Sequence, residues 1–185
     1  KRNRIFQERI PQRSLREAQA VIGFDTSSWL LAERVRNLEK PFFVDHSISH
    51  PLTNHAVLQD VGERFPNWRN GFEPRLPELL EHEKKEHEMA TRIVVASSFT
   101  KRTLVLHGVK ADKILVNPYG VDLQSFYPST SPKETKPFRF LFLGSISARK
   151  GVPLLIEAWR SLSLTQSELF LVGPISSQTR KLIPD

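Results

Sequence analysis

Ala20-Val21-Ile22-Gly23-Phe24 runs into Asp25-Thr26-Ser27-Ser28, and the stretch from Trp29 to Leu38 leads on to Pro41-Phe42-Phe43-Val44, with Asp45-His46-Ser47 just beyond. The first apolar run reads as a buried strand that empties into a polar loop. Ser27 or Ser28 can cap a helix in which Trp29, Leu30, Leu31, Ala32, Val35 and Leu38 recur at helical spacing. The second apolar run is again β-like. Strand, helix, strand is a βαβ unit, and it predicts an α/β fold whose parallel sheet gathers ligands at the carboxyl ends of its strands.

Working outward, residues 50–75 carry Pro51, Gly62, Pro66, Gly71 and Pro74 around Trp68 and Phe72, which predicts an irregular, partly helical excursion. Residues 76–92 turn helical, with Pro77 in the first turn, a thin stripe of Leu79, Leu80 and Ala90, and Glu81 and Lys85 in the favourable i,i+4 order. Ile93-Val94-Val95-Ala96 is a buried strand, Ser97 or Ser98 caps a helix that stops at Gly108, and Ile114-Leu115-Val116 is a further strand. The segment 126–137, rich in Pro, Ser, Thr and charge, is the predicted linker between a domain over 1–125 and a second over 138–185. That second domain opens with its own βαβ: strand 138–143, loop 144–151, helix 152–162 and strand 169–172. Leu154, Leu155, Ala158, Trp159 and Leu162 share the predicted inner face of the helix.

The 185 residues include 27 Lys and Arg against 20 Asp and Glu, with no Cys. A hydrophobic share of 39% disfavours both wholesale disorder and a membrane-embedded bundle. Absence of Cys removes disulfide frameworks, thiol catalysis and Cys-ligated metal sites. The net charge of +7 suggests polyanionic partners, but residues 1–17 hold Lys1, Arg2, Arg4, Arg9, Arg13 and Arg16 against only Glu8 and Glu17. More than half of the excess therefore lies in one short segment, and no nucleic-acid partner is expected. No apolar region follows the arginines as a secretory signal would require, and no apolar run approaches the roughly 20 residues of a spanning helix. A cytoplasmic location is expected, with peripheral contact at an anionic membrane as an option for the basic segment.

Three places could carry chemistry. The loop Gly144-Ser145-Ile146-Ser147-Ala148-Arg149-Lys150-Gly151 lies between a strand and a helix, where backbone N–H groups and the helix dipole favour an anion, and Arg149 with Lys150 adds two cations suited to a diphosphate. It is neither a Walker A loop nor the dinucleotide fingerprint, and a turn with a solvated Arg-Lys pair is the plainer reading. His46, beside Asp45 past a strand end, could serve as general base or bond a hydroxyl, with Asp45 orienting it; an ordinary solvated loop histidine is the alternative. Asn117 to Asp122 ends a strand as either a tight turn or a loop lining a cleft, with Gly120 free to take positive φ. His50 and His55 give little ground for a metal. His82 and His87 sit five apart, about 140° from each other on a helix, so the zincin pattern is not met and the surrounding Glu/Lys run reads as a solvated face. Trp29, Trp68 and Trp159 read as core or domain contacts.

Ile93 to Phe99, then Gly108, then Lys113 to Asp122 with Phe126 and Pro128, resembles the middle of a family 4 glycosyltransferase of the GT-B type. Phe140-Leu141-Phe142-Leu143-Gly144, Arg149-Lys150-Gly151 and Leu155-Ile156-Glu157-Ala158 look like the start of that family's sugar-nucleotide domain, and Val44-Asp45-His46 like its acceptor-side strand end. The resemblance spans roughly residues 18–174. It implies two facing Rossmann-like domains and transfer of a hexose-type unit from a nucleotide-sugar donor to a glycan or lipid-linked acceptor, with retention and without a metal or other cofactor. Lys150 would contact the donor diphosphate and Gly144 would let the chain approach it. Ser145 stands where the family often has Arg, leaving Arg149 as the candidate second cation. His46 and Asp45 would lie at the catalytic centre, and Tyr119, Gly120 and Asp122 in the interdomain loop. The family's first glycine-rich loop and its late paired-glutamate motif are missing, so the chain reads as an internal fragment not expected to turn over alone. A sugar-nucleotide epimerase of the same fold and a basic, non-catalytic binding fragment are the alternatives.

Overall fold

The computed structural model describes residues 2–69, 76–128 and 137–183. They form two compact units, Lys1–His55 with Glu73–Val121, and Ala56–Phe72 with Asp122–Asp185.

In the first unit, helices α1 (Arg2–Arg9) and α2 (Gln12–Glu17) precede β1 (Val21–Phe24), α3 (Trp29–Arg36) and β2 (Phe42–His46). The start of α4 (Pro51–Arg64) follows, then α5 (Leu76–Met89), β3 (Arg92–Val95), α6 (Ser98–Leu106) and β4 (Ile114–Val116). The strands lie in the order β1-β2-β3-β4, all parallel, as the βαβ reading predicts. Register places Gly23, Val44, Ile93 and Ile114 in one row, and that row faces a core of Leu31, Ala32, Val35 and Leu104. Each fully buried aliphatic side chain there contributes about 1.5–3 kcal/mol. Ser97 caps α6 by accepting from the Thr100 N–H at 3.1 Å, and Gly108 closes it at φ 92°. Residues 20–24 are not a buried strand, however. At the sheet edge Val21 and Gly23 turn inward, Val21 only half-buried, while Ile22 and Phe24 are 68% and 61% exposed.

The basic leading segment is built into this unit. Fully buried Gln7 turns its Oε1 onto the start of α3, accepting from Leu30 N–H at 2.8 Å and Leu31 N–H at 3.2 Å. Ser28, at the cap position, does not use its own side chain to cap. Its hydroxyl goes instead to Phe24 O and to Glu86. Arg34 donates to the carbonyls of Gln7 and Ile10, and Lys40 to those of Arg16 and Ala18.

The second unit holds the later part of α4, a turn at Pro66–Trp68, β5 (Phe138–Leu143), α7 (Val152–Leu162), β6 (Ser167–Val172) and α8 (Ser177–Arg180). β5 and β6 pair in parallel, and Trp68, Ile146, Val152 and Ile156 form the core. One expectation changes here. Residues 51–64 form an unbroken helix, because Pro51 occupies the first position, where its missing N–H costs nothing. Residues 56–69 also group with the second unit, where Phe65 and Trp68 join its core. Most of the predicted linker, 129–136, lies outside the described residues, as do 70–75. The buried stripe of α7 is Val152, Pro153 and Ile156; Ala158 and Leu162 are exposed. Among the described residues no helix is long and apolar enough to cross a membrane.

Candidate functional site

Alternation along β2 decides where its polar end residues go. Phe42, Val44 and His46 share one parity and are buried, while Phe43 and Asp45 face the other way and are half-buried. His46 is 0% exposed, so it is not a solvated loop histidine, and consecutive strand positions prevent Asp45 from orienting its ring. Its neighbour is instead His87 of α5, whose Nε2 lies 3.4 Å from His46 Nδ1, the rings 5.1 Å apart and tilted by 59°. Glu83, one turn before His87, brings its carboxylate to the same spot.

The charged run of α5 is therefore solvated on one side only, with Glu81, Lys84, Lys85 and Glu88 exposed. Glu83, Glu86 and His87 are all buried. Glu86 is fully satisfied: Oε1 accepts from Ser28 N–H at 2.7 Å and Ser28 Oγ at 3.1 Å, and Oε2 from Thr26 N–H at 2.9 Å. Burial nevertheless pushes its pKa up to about 7, against the lowering effect of those bonds. Burial, with Asp25 and Glu86 nearby, pushes Glu83 up to about 9. Burial also lowers His46, against the pull of Asp25, and takes His87 down to about 3. Both Glu83 oxygens and His46 Nε2 are buried without a hydrogen-bond partner. The signal for this face was present in the sequence, since Leu76, Leu79, Leu80, Glu83, His87 and Ala90 continue one helical stripe.

On the solvent side of the same strand ends, Asp25 accepts from Ser47 Oγ at 3.0 Å and Ser47 N–H at 3.3 Å. Asp25 and Asp45 are the partly exposed carboxylates there. Nearby, His50 stacks on His107 at 4.1 Å, and His107 Nε2 lies 3.0 Å from Thr53 Oγ1. His50, Leu80, Lys84, His87, His107 and Lys113 help to line a cleft of about 600 Å³ in this unit. His50 Nδ1 accepts from the Leu52 N–H, and burial, with His107 and His46 alongside, lowers the ring to about 4. The unfolded chain therefore takes up a proton that folded His50 refuses between its ordinary value and about 4. This contribution to stability is complete above the ordinary value and is lost as pH falls toward 4. Because the ring borders the open cleft, the expected loss is on the order of 1 kcal/mol. Urea melts of wild type and His50→Gln across that window check it, and equal slopes would count against it.

In the second unit, β5 delivers Gly144 to a backbone crossing. Gly144 N–H donates to Val172 O and Ile146 N–H to Pro174 O, both at 2.9 Å. A Cβ at Gly173 (φ 146°) would lie 2.0 Å from Gly144 O. This contact fixes the loop's exit, after which Ser147 is extended and Ala148–Lys150 form a single 3₁₀ turn. The Lys150, Gly151 and Val152 N–H groups are used within that turn, so the loop's side chains carry more of any anion binding than the backbone reading implies. Arg149 and Lys150 are exposed, and neither forms an ion pair among the described residues. Ser145 is half-buried.

Tyr119 is 77% exposed, and Gly120 does not adopt positive φ, nor would a Cβ there meet anything. Asp122 accepts from Ser125 Oγ at 2.7 Å and Gln124 N–H at 2.9 Å, which lowers its pKa and makes the stretch a local turn.

No protein-family model matches the chain. It is 31% identical over 129 residues to a D-inositol 3-phosphate glycosyltransferase of Pseudarthrobacter chlorophenolicus, a match that covers 61% of this chain and 30% of that protein. Among solved structures it is similar to the apo form of the lipopolysaccharide outer core galactosyltransferase WaaB, with a TM-score of 0.54 and 19% identity over 92% of this chain and 41% of that one. The chain thus spans less than half the length of either, and its fold is the parallel α/β arrangement of the GT-B glycosyltransferase neighbour.

Proposed function

We propose that the chain is part of a glycosyltransferase that moves a hexose-type unit from a nucleotide sugar to a glycan or lipid-linked acceptor, retaining configuration and holding the donor diphosphate without a metal. The similarity to glycosyltransferases in sequence and in fold supports this class. The observation that carries the donor assignment is the β5–α7 loop, where Arg149 and Lys150 stand exposed, beyond a glycine-tight strand end. Two cations at one loop can neutralise the charge that builds on a departing diphosphate, which makes it a better leaving group. Gly144 leaves room for the chain to approach the phosphates, with Ser145 beside it.

The acceptor would meet the carboxyl edge of the first sheet. There Asp45 and Asp25 are the groups able to accept hydrogen bonds from a sugar hydroxyl. His46 lies beneath that edge, sealed from solvent, and acts in this reading by positioning β2 rather than by touching the acceptor. Tyr119, Gly120 and Asp122 would connect the two binding surfaces.

Calorimetry of the full chain against UDP, GDP and ADP tests the reading. At least one should bind, and Lys150→Ala should weaken that binding by about 10- to 100-fold, since a charge-assisted bond is worth about 1.5–3 kcal/mol. An unchanged dissociation constant in the variant, or no binding to any of the three, would sink the donor assignment.

A further inference from the structure

We propose that His46, Glu83 and His87 form a binding site for a divalent transition-metal ion of the zinc type, which ties α5 to the end of β2. The two imidazoles present nitrogens 3.4 Å apart. That is the separation expected of two ligands on a tetrahedral ion with bonds of about 2.0–2.1 Å. One ligand atom from each of the three residues lies within 4.8 Å of the other two, and all three side chains are buried. Glu83 and His87 are four apart on α5, which sets them about 40° apart on the helix, and β2 supplies the third ligand. The i,i+4 pair that a helical metal site needs is thus Glu83 with His87, whereas His82 stacks on Trp29 at 3.5 Å.

Two independent observations call for a cation. First, both Glu83 oxygens are buried without partners. A neutral Glu83 hydrogen-bonded to His46 would satisfy atoms on both residues, and no such bond is present. A buried carboxyl group with neither oxygen partnered is costly in either protonation state, and coordination is one of the few ways to compensate it. Second, the surroundings are acidic. Asp25 and Glu86 act on Glu83, and no Lys or Arg pairs with Asp25, Glu83 or Glu86 among the described residues. A dication held by Glu83 would also offset the charges of Asp25 and Glu86 that act on it.

The donor set narrows the metal. Two imidazoles and one carboxylate suit zinc, cobalt or nickel, while magnesium and calcium take oxygen ligands. With the ligands enclosed and the second Glu83 oxygen also unpartnered and able to complete a four-coordinate shell, the ion would act as a structural clamp rather than a centre open to substrate. The inference does not rest on the transferase reading, because all three ligands belong to the first unit and the cationic loop to the second.

The test is a titration of the full chain, stripped by a chelator, with Co²⁺ as spectroscopic probe and Zn²⁺ as competitor. One equivalent of cobalt should bind with the visible d–d bands of a four- or five-coordinate centre, and zinc should displace it. Glu83→Gln and His87→Asn should each weaken binding by at least about tenfold, while His107→Asn leaves it unchanged. Zinc should raise the melting temperature of the wild type but not of Glu83→Gln. Imidazole ¹⁵N resonances of the wild type supply a readout independent of any variant: zinc should shift His46 and His87 and leave His50 and His107 in place. Failure of the wild type to take up one equivalent, undiminished binding in Glu83→Gln, or shifts confined to His50 and His107 would each overturn the assignment.

Discussion

Gly173→Ala is expected to unfold the second unit while leaving the first unit's sheet protected. A Cβ at this position meets Gly144 O at 2.0 Å and Gly144 C at 2.7 Å, both backbone atoms, so no side-chain rotation can relieve the clash. The backbone there, at φ 146°, is also one that an L-residue rarely adopts. Overpacking and backbone strain together cost about 3 kcal/mol or more. The second unit has little with which to offset that, because its described sheet has only two strands and its core centres on Trp68, Ile146, Val152 and Ile156. Hydrogen exchange reads the outcome directly: amides of 138–143 and 167–172 should lose protection, and those of 42–46 and 92–95 should keep it. Full protection across β5 and β6 in the variant would mean that the crossing relaxes more easily than its distances imply.

Glu86→Ala should have the next largest effect, this time in the first unit. Truncation leaves the N–H groups of Thr26 and Ser28 without their acceptor, at a place where Ser28 is only 2% exposed, while the Ser28 hydroxyl keeps Phe24 O. Unpaired buried donors cost about 1–3 kcal/mol each, partly shared through relaxation, so a loss of about 3–5 kcal/mol is expected in urea denaturation. Glu86→Gln keeps the shape and one acceptor oxygen, and should fall between. A Glu86→Ala protein within 1 kcal/mol of wild type would show that water replaces the carboxylate at the loop.

The sequence made the alternation of strand and helix plain, because its signals are local. Phe42 to Val44 and Ile93 to Val95 are short apolar runs, Ser97 is a cap, Gly108 a stop, and Trp29 to Val35 an amphipathic stripe. The interior of α5 was hidden for a physical reason: its inward positions are Glu83, Glu86 and His87, which hydropathy counts as outside. Parity along β2 could have placed His46 beneath the sheet with Phe42 and Val44, but its position at a strand end invited a solvent-facing reading. Pro51 and Gly62 suggested irregularity in 50–64, although a proline at the first helical position is no obstacle. Arg149 and Lys150 were legible as an exposed cationic pair because they are adjacent in the chain. The approach of Gly173 to Gly144 was not, since it joins two strand ends 29 positions apart.

The attachment of the β1–α3 loop also bears on the order in which the first unit assembles. Its donors are met by Glu86, 58 and 60 residues downstream, and by Gln7, 23 and 24 residues upstream. Contacts so distant in sequence form only after the intervening chain has been drawn together, and the closure entropy is spent before any of them is gained. Asp25 and its loop are therefore expected to set late, after β2, β3 and α5 have come together. Trp29 marks that moment, because its indole lies flat against His82 of α5, 3.5 Å between ring centres with planes 4° apart, and it is the one tryptophan of the first unit.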